Sequence, residues 1–166
     1  MGFIVVGVGA VGARAARQLH NSRGGRPIVI VDTDRARAAE VVGSLGDGAR
    51  CGDWDPAALT EGDVVLVAVG GPHAELARIA LERGCDVVST AAEVDDVRAL
   101  LALDGDARTR DRTVVVGAGF APGLTCVLAK HAAGDLTTVD EIHVASVGTG
   151  GPACAHQHHH ALRAEA

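Results

Sequence analysis

Apolar residues in this chain gather in short unbroken runs, separated by stretches with helical spacing. Phe3-Ile4-Val5-Val6, Ile28-Val29-Ile30-Val31 and Val64-Val65-Leu66-Val67-Ala68-Val69 carry no polar alternation, as expected of parallel strands covered on both faces. Asp86-Val87-Val88-Ser89 and Thr113 to Val116 repeat the pattern in shorter form, and Ala49-Arg50-Cys51 reads as a brief third strand. Between the runs, 10–19, 34–45 and the stretch from Pro72 to about Gly84 read as helices. Val94, Val97, Leu100 and Leu101 mark one apolar face of a further helix. Asp55-Pro56 supplies the cap and first turn of a short helix that Gly62 ends. Strands alternating with helices close through right-handed crossovers, so the expected class is α/β, a doubly wound parallel sheet in three α/β/α layers.

Past Asp135 the pattern changes. Val139 to Val147 mixes polar and apolar positions and predicts a half-buried strand, followed by the flexible connector Gly148-Thr149-Gly150-Gly151-Pro152. The expected division is a main domain over 1–135, then over 136–166 an exit strand, a linker and the beginning of a truncated substrate or dimerisation domain. An apolar strand face needs cover, so self-association into a homo-oligomer is expected.

The first strand runs into Gly7-Val8-Gly9-Ala10-Val11-Gly12, a G-x-G-x-x-G turn that opens a helix. In that context Gly7 permits the tight turn, Gly9 lets a pyrophosphate approach the backbone, and Gly12 lets the helix lie against the strand. The helix start, with Ala10 and Val11, offers N–H groups and a partial positive charge to phosphates. Asp32 ends the second strand 20 residues after Gly12, where a carboxylate accepts hydrogen bonds from the ribose hydroxyls of a dinucleotide. These features predict a Rossmann domain holding NAD or NADP. Asp32 favours NAD by repelling a 2′-phosphate, whereas Arg35 stands where it could pair with one. Gly70-Gly71-Pro72-His73 follows the long central strand at the rim where open α/β sheets bind ligands. His73 is a weak acid–base candidate there, since a histidine in the first turn of a helix is more often solvent-exposed.

Composition removes several alternatives. Two Phe, one Trp, no Tyr and a net charge of −6 speak against nucleic acid as a partner. The apolar runs are too short for a spanning helix and no signal segment is apparent, so no membrane association is expected and a cytoplasmic site is. Without tyrosine the chain cannot carry the Tyr-x-x-x-Lys pair of short-chain dehydrogenases, and no G-x-x-x-x-G-K-[ST] loop precedes Lys130, the only lysine, which is expected on a helix surface. Cys51, Cys85, Cys126 and Cys154 form no Cys-x-x-Cys pair and read as buried free thiols. His156-Gln157-His158-His159-His160 lacks ligands to complete a metal site, and none is expected.

Gly117-Ala118-Gly119-Phe120-Ala121-Pro122-Gly123-Leu124-Thr125 joins a buried strand to a helix and has the composition of a close-contact ligand loop. Together with the opening glycine turn and Asp86-Val87-Val88-Ser89-Thr90, it resembles the saccharopine dehydrogenase and lysine 6-dehydrogenase family, whose Rossmann domain ends in a similar G-x-G-F-x-P-G turn. That resemblance covers most of the chain. It implies an NAD(P)-dependent oxidoreductase transferring hydride at a C–N bond of an amino-acid-like small-molecule substrate, with Gly70, Gly71, Gly119 and Phe120 near the cofactor and the catalytic residues unassigned. Members carry a substrate domain that this sequence largely lacks. An alternative of another class is a non-enzymatic NAD-sensing regulatory domain like those of potassium transport systems, because Gly52-Asp53-Trp54-Asp55-Pro56-Ala57-Ala58-Leu59 resembles the glycine–aspartate segment after their third strand. A methyltransferase using S-adenosylmethionine shares the glycine turn and the acid, but Gly12 at the third position favours a dinucleotide.

Overall fold

The first apolar run forms β1 (Phe3–Val6), and the sheet grows outward from it on both sides. The computed structural model describes residues 1–22 and 24–145, with Val147, Gly151 and Ala155. After β1 come α1 (Ala10–Ser22), β2 (Ile28–Val31), α2 (Arg35–Leu45), β3 (Ala49–Gly52), a single 3₁₀ turn (Pro56–Ala58) and β4 (Val64–Val67). Then follow α3 (Ala74–Glu82), β5 (Asp86–Ser89), α4 (Val94–Leu101), α5 (Asp104–Thr109), β6 (Val114–Val115) and α6 (Leu124–Ala133). All six strands pair in parallel in the order β3-β2-β1-β4-β5-β6. This is the doubly wound Rossmann order, and its reversal between β1 and β4 opens a crevice at the carboxyl ends of those two strands.

Because the strands are buried on both faces, alternate residues feed two cores. Val5, Ile28 and Ile30 pack with Ala16 of α1 and with Ala38, Val41 and Leu45 of α2. On the other face Ile4, Val65, Val67 and Val87 pack with Ala77, Ala80 and Leu81 of α3 and Leu100 of α4. The helices thus cover both faces, giving the expected three layers. Local chemistry sets the helix starts: Asp34 caps α2 by accepting from the Arg37 amide, and Asp55 caps the 3₁₀ turn through the Ala57 amide.

Several elements differ from the sequence reading. The helix expected from Pro72 begins at Ala74, because its cap is the distant Asp96, whose carboxylate accepts from the His73 and Ala74 amides at 2.8 and 2.9 Å. On α4, Leu100 is buried and Val97 half-buried, but Val94 and Leu101 are each 60% exposed. α5 was not expected, since its sequence offers only Ala107 to the core. The half-buried strand expected over 139–147 is not formed among the described residues: 139–145 adopt no regular structure, and Val139, Ile142 and Val144 are exposed. A strand needs a neighbouring edge, and no backbone hydrogen bond among the described residues reaches 139–145. The connector 148–152, apart from Gly151, and the 156–160 histidine run lie outside the described residues.

Candidate nucleotide-binding site

The glycine turn is built by contacts that only glycine admits. Gly7 has φ +87°, and a Cβ there would stand 2.6 Å from the Ala68 carbonyl oxygen at the end of β4. A Cβ on Gly12 would stand 1.9 Å from the Gly7 carbonyl oxygen, so the first turn of α1 rests directly on the loop. Gly9 is the opposite case: a Cβ there meets nothing within 4 Å. Gly9, Ala10 and Val11 are exposed, and the N–H groups of Gly9 through Gly12 have no acceptor among the described residues. A helix start with open N–H groups beside an open glycine fits a phosphate chemically, by hydrogen bonding and by the helix dipole. Gly151 lies against this start, its notional Cβ 3.4 Å from that of Ala10.

Asp32 closes the turn from the second strand. Its Oδ2 accepts from the Val8 amide at 2.7 Å and its Oδ1 from the Asp34 amide at 2.8 Å, with the side chain only 7% exposed. The carboxylate therefore ties the glycine loop to the β2 end. Arg35 pairs with Asp53 beyond β3, both exposed. Arg37, which the sequence reading did not single out, pairs with Asp34 at 3.0 Å and lies 3.7 Å from Asp32. The spacing of Asp34 and Arg37, three residues apart across a helix start, is the signal that could have found it.

Gly70 and Gly71 line a separate cavity of about 590 Å³ between the β4–α3 and β5–α4 loops, with Thr90, Ala91, Glu93 and Asp96. Gly7 to Gly12 are not part of its wall. Gly119 sits beside its rim, its notional Cβ 3.6 Å from the Thr90 carbonyl oxygen. Phe120 is 54% exposed and lines neither space. The structure thus brings Gly7, Gly9, Ala10, Val11, Gly12 and Asp32 together, sets Gly70, Gly71 and Gly119 around a neighbouring cavity, and leaves Arg35 on the rim and Phe120 in solvent.

His73 corrects the expectation of an exposed first-turn residue. It is buried; its Nε2 lies 3.1 Å from the Val69 carbonyl and its Nδ1 2.9 Å from the Ser89 hydroxyl, which itself accepts from the Ala91 amide at 3.2 Å. With both ring nitrogens engaged, His73 joins the end of β4, β5 and the start of α3. The thiols also divide differently from the expectation. Cys85 is buried and burial, then Asp63 and Asp86, pushes it up to about 11, whereas Cys51 and Cys126 are exposed. Lys130 is exposed in the last turn of α6. Among the described residues no group of three or more metal-ligating side chains occurs, and no helix is long and apolar enough to cross a membrane.

The fold and the turn together define an NAD(P)-binding Rossmann domain. More particularly, the family model of the TrkA-N domain matches residues 3–106, and the chain belongs to that family. Solved structures with a similar fold include saccharopine dehydrogenase (L-Glu forming) from Saccharomyces cerevisiae, 22% identical with a TM-score of 0.61, covering 80% of this chain and 32% of that one. The UDP-N-acetylglucosamine 3-dehydrogenase GnnA from Acidithiobacillus ferrooxidans is 23% identical with a TM-score of 0.53, covering 69% and 37%. An NAD binding oxidoreductase from Klebsiella pneumoniae is 21% identical with a TM-score of 0.53, covering 82% and 40%. The chain spans 32–40% of the length of these structures, and the likeness is one of fold.

Proposed function

We propose that this chain is a nucleotide-sensing regulatory domain of the kind that serves potassium transport systems, binding NAD(H) at the glycine turn. The observation that carries this reading is the open helix start at Gly9 to Gly12 facing Asp32, within the stretch matched to the TrkA-N family. Gly9, Ala10, Val11 and Gly12 hold the pyrophosphate through their N–H groups. Asp32 meets the adenosine ribose, and with Asp34 and Asp53 neutralising Arg37 and Arg35 the pocket favours NAD over NADP. Gly70, Gly71, Gly119 and Phe120 belong in this proposal to the nicotinamide side. Copies of the chain associate in this proposal. Binding of NADH by calorimetry, with no reduction of NAD⁺ when amino acids are added to the same protein preparation, as followed by nicotinamide absorbance, tests the reading; steady turnover would overturn it.

The cavity beside Gly70 and Thr90 favours a second reading, an oxidoreductase of the saccharopine dehydrogenase type acting on an amino-acid-like small molecule. Bound NAD(P) would supply hydride transfer there. Among the described residues His73 stands at this cavity with both ring nitrogens engaged.

A further inference from the structure

On the side away from the nucleotide turn, the sheet ends in an unguarded edge. β6 is the outermost strand there and pairs only with β5. Its register turns the N–H and C=O of Val115 toward β5, so those of Val114 and Val116 face outward. Among the described residues neither makes a backbone hydrogen bond on that side. No charged residue stands within Val114 to Val116, and Val115 is 45% exposed. The opposite edge strand, β3, carries Arg50, the kind of charge that deters strand addition.

Residues 139–145 have the complementary deficit. They form no regular structure, and no backbone hydrogen bond among the described residues reaches them. Ile142 and Val144, two apart, would share one face of a strand, and both are exposed. Between this segment and the β6 edge in sequence stands α6, whose Leu124, Val127 and Leu128 are exposed as well. One chain thus leaves an edge, a strand-forming segment and a helix face open at once. If all are buried, the exposed apolar residues from Val115 to Val144 amount to roughly 700 Å² per copy and roughly 1,400 Å² in a two-fold pair, the size of an ordinary stable interface. We propose that residues 139–145 of one copy add as a strand to the outer edge of β6 in a second copy, and the reverse, with the α6 faces packed beside the exchange. Two-fold closure then leaves neither β6 edge free. This rests on the association of copies proposed above and not on the nucleotide reading.

Hydrogen exchange of the full chain, read by NMR at two concentrations, tests it. The expected result is protection of the Val114 and Val116 amides that falls at least about tenfold on dilution to monomer. A sample mixing ¹⁵N-labelled and ¹³C-labelled chains should show contacts between those amides in one copy and residues 139–145 in the other. Successive N–H groups of a strand alternate in direction, so either Ile142→Pro or His143→Pro removes a ladder donor and weakens association about tenfold. Both positions lie outside the core, and unchanged amide signals from β1 and β4 check that the fold is intact. A dimer whose Val114 and Val116 amides exchange freely, or one that neither proline weakens, would overturn the strand exchange while leaving the association. A monomer would overturn both. Protection that is independent of concentration, without contacts between copies, would place the segment on its own β6 and overturn the exchange.

Discussion

Gly9 and Gly12 lie three residues apart, and an added methyl group meets opposite fates at the two. At Gly9 it enters open space, while at Gly12 it would stand 1.9 Å from the Gly7 carbonyl oxygen, an overlap that helix propensity cannot offset. Gly12→Ala is therefore expected to lose about 3 kcal/mol of stability and Gly9→Ala less than about 0.5 kcal/mol; urea unfolding compares them, and equal midpoints would refute the packing. Asp63 makes a second prediction at this scale. Burial raises its pKa, but the Thr60 hydroxyl and the amides of Gly2 and Thr60 outweigh it and hold the carboxyl below its ordinary 3.8. Stability from this group is thus present above about pH 4 and lost as pH falls through the lower folded value. Asp63→Asn should lower stability at pH 7 by about 2 kcal/mol and flatten the acid limb below pH ~4. An acid limb as steep as that of the unaltered protein would show that other carboxylates carry it.

At the level of elements, α3 depends on a residue of α4. Asp96 receives the His73 and Ala74 amides, so Asp96→Ala should cost about 1 kcal/mol and lower the Tm by about 3 °C, with Asp96→Asn recovering part of it; a scan with no shift would contradict the cap. This long-range cap also explains why the start of α3 was not legible in the sequence. What was legible rests on local rules. The strands announce themselves because burial on both faces excludes polar residues, and Gly7, Gly9, Gly12 and Asp32 stand at spacings fixed by one strand–turn–helix unit. What was not legible depends on contacts between distant segments. His73 is buried because Val69 and Ser89 receive its ring, Arg35 is engaged by Asp53, and the alternation over 139–145 finds no strand to pair with.

At the scale of the whole molecule, α6 stands uncovered among the described residues. None of its residues is buried, and Leu124, Val127 and Leu128, spaced to share one face, stand 48–65% exposed. With Phe120 alongside, they leave on the order of a few hundred Å² of apolar surface, the size that marks an interface. Association of copies through this face predicts a dimer by sedimentation that Val127→Glu converts to monomer without loss of nucleotide binding; a monomeric unaltered chain would remove the idea. Nucleotide binding at the open helix start is tested most directly by calorimetric titration of NADH into the unaltered chain and into folded Gly9→Val. One site per chain, tighter for NADH than for NADPH and lost in Gly9→Val, is the predicted result. Equal affinity in the two proteins, or no binding to the unaltered one, would contradict it.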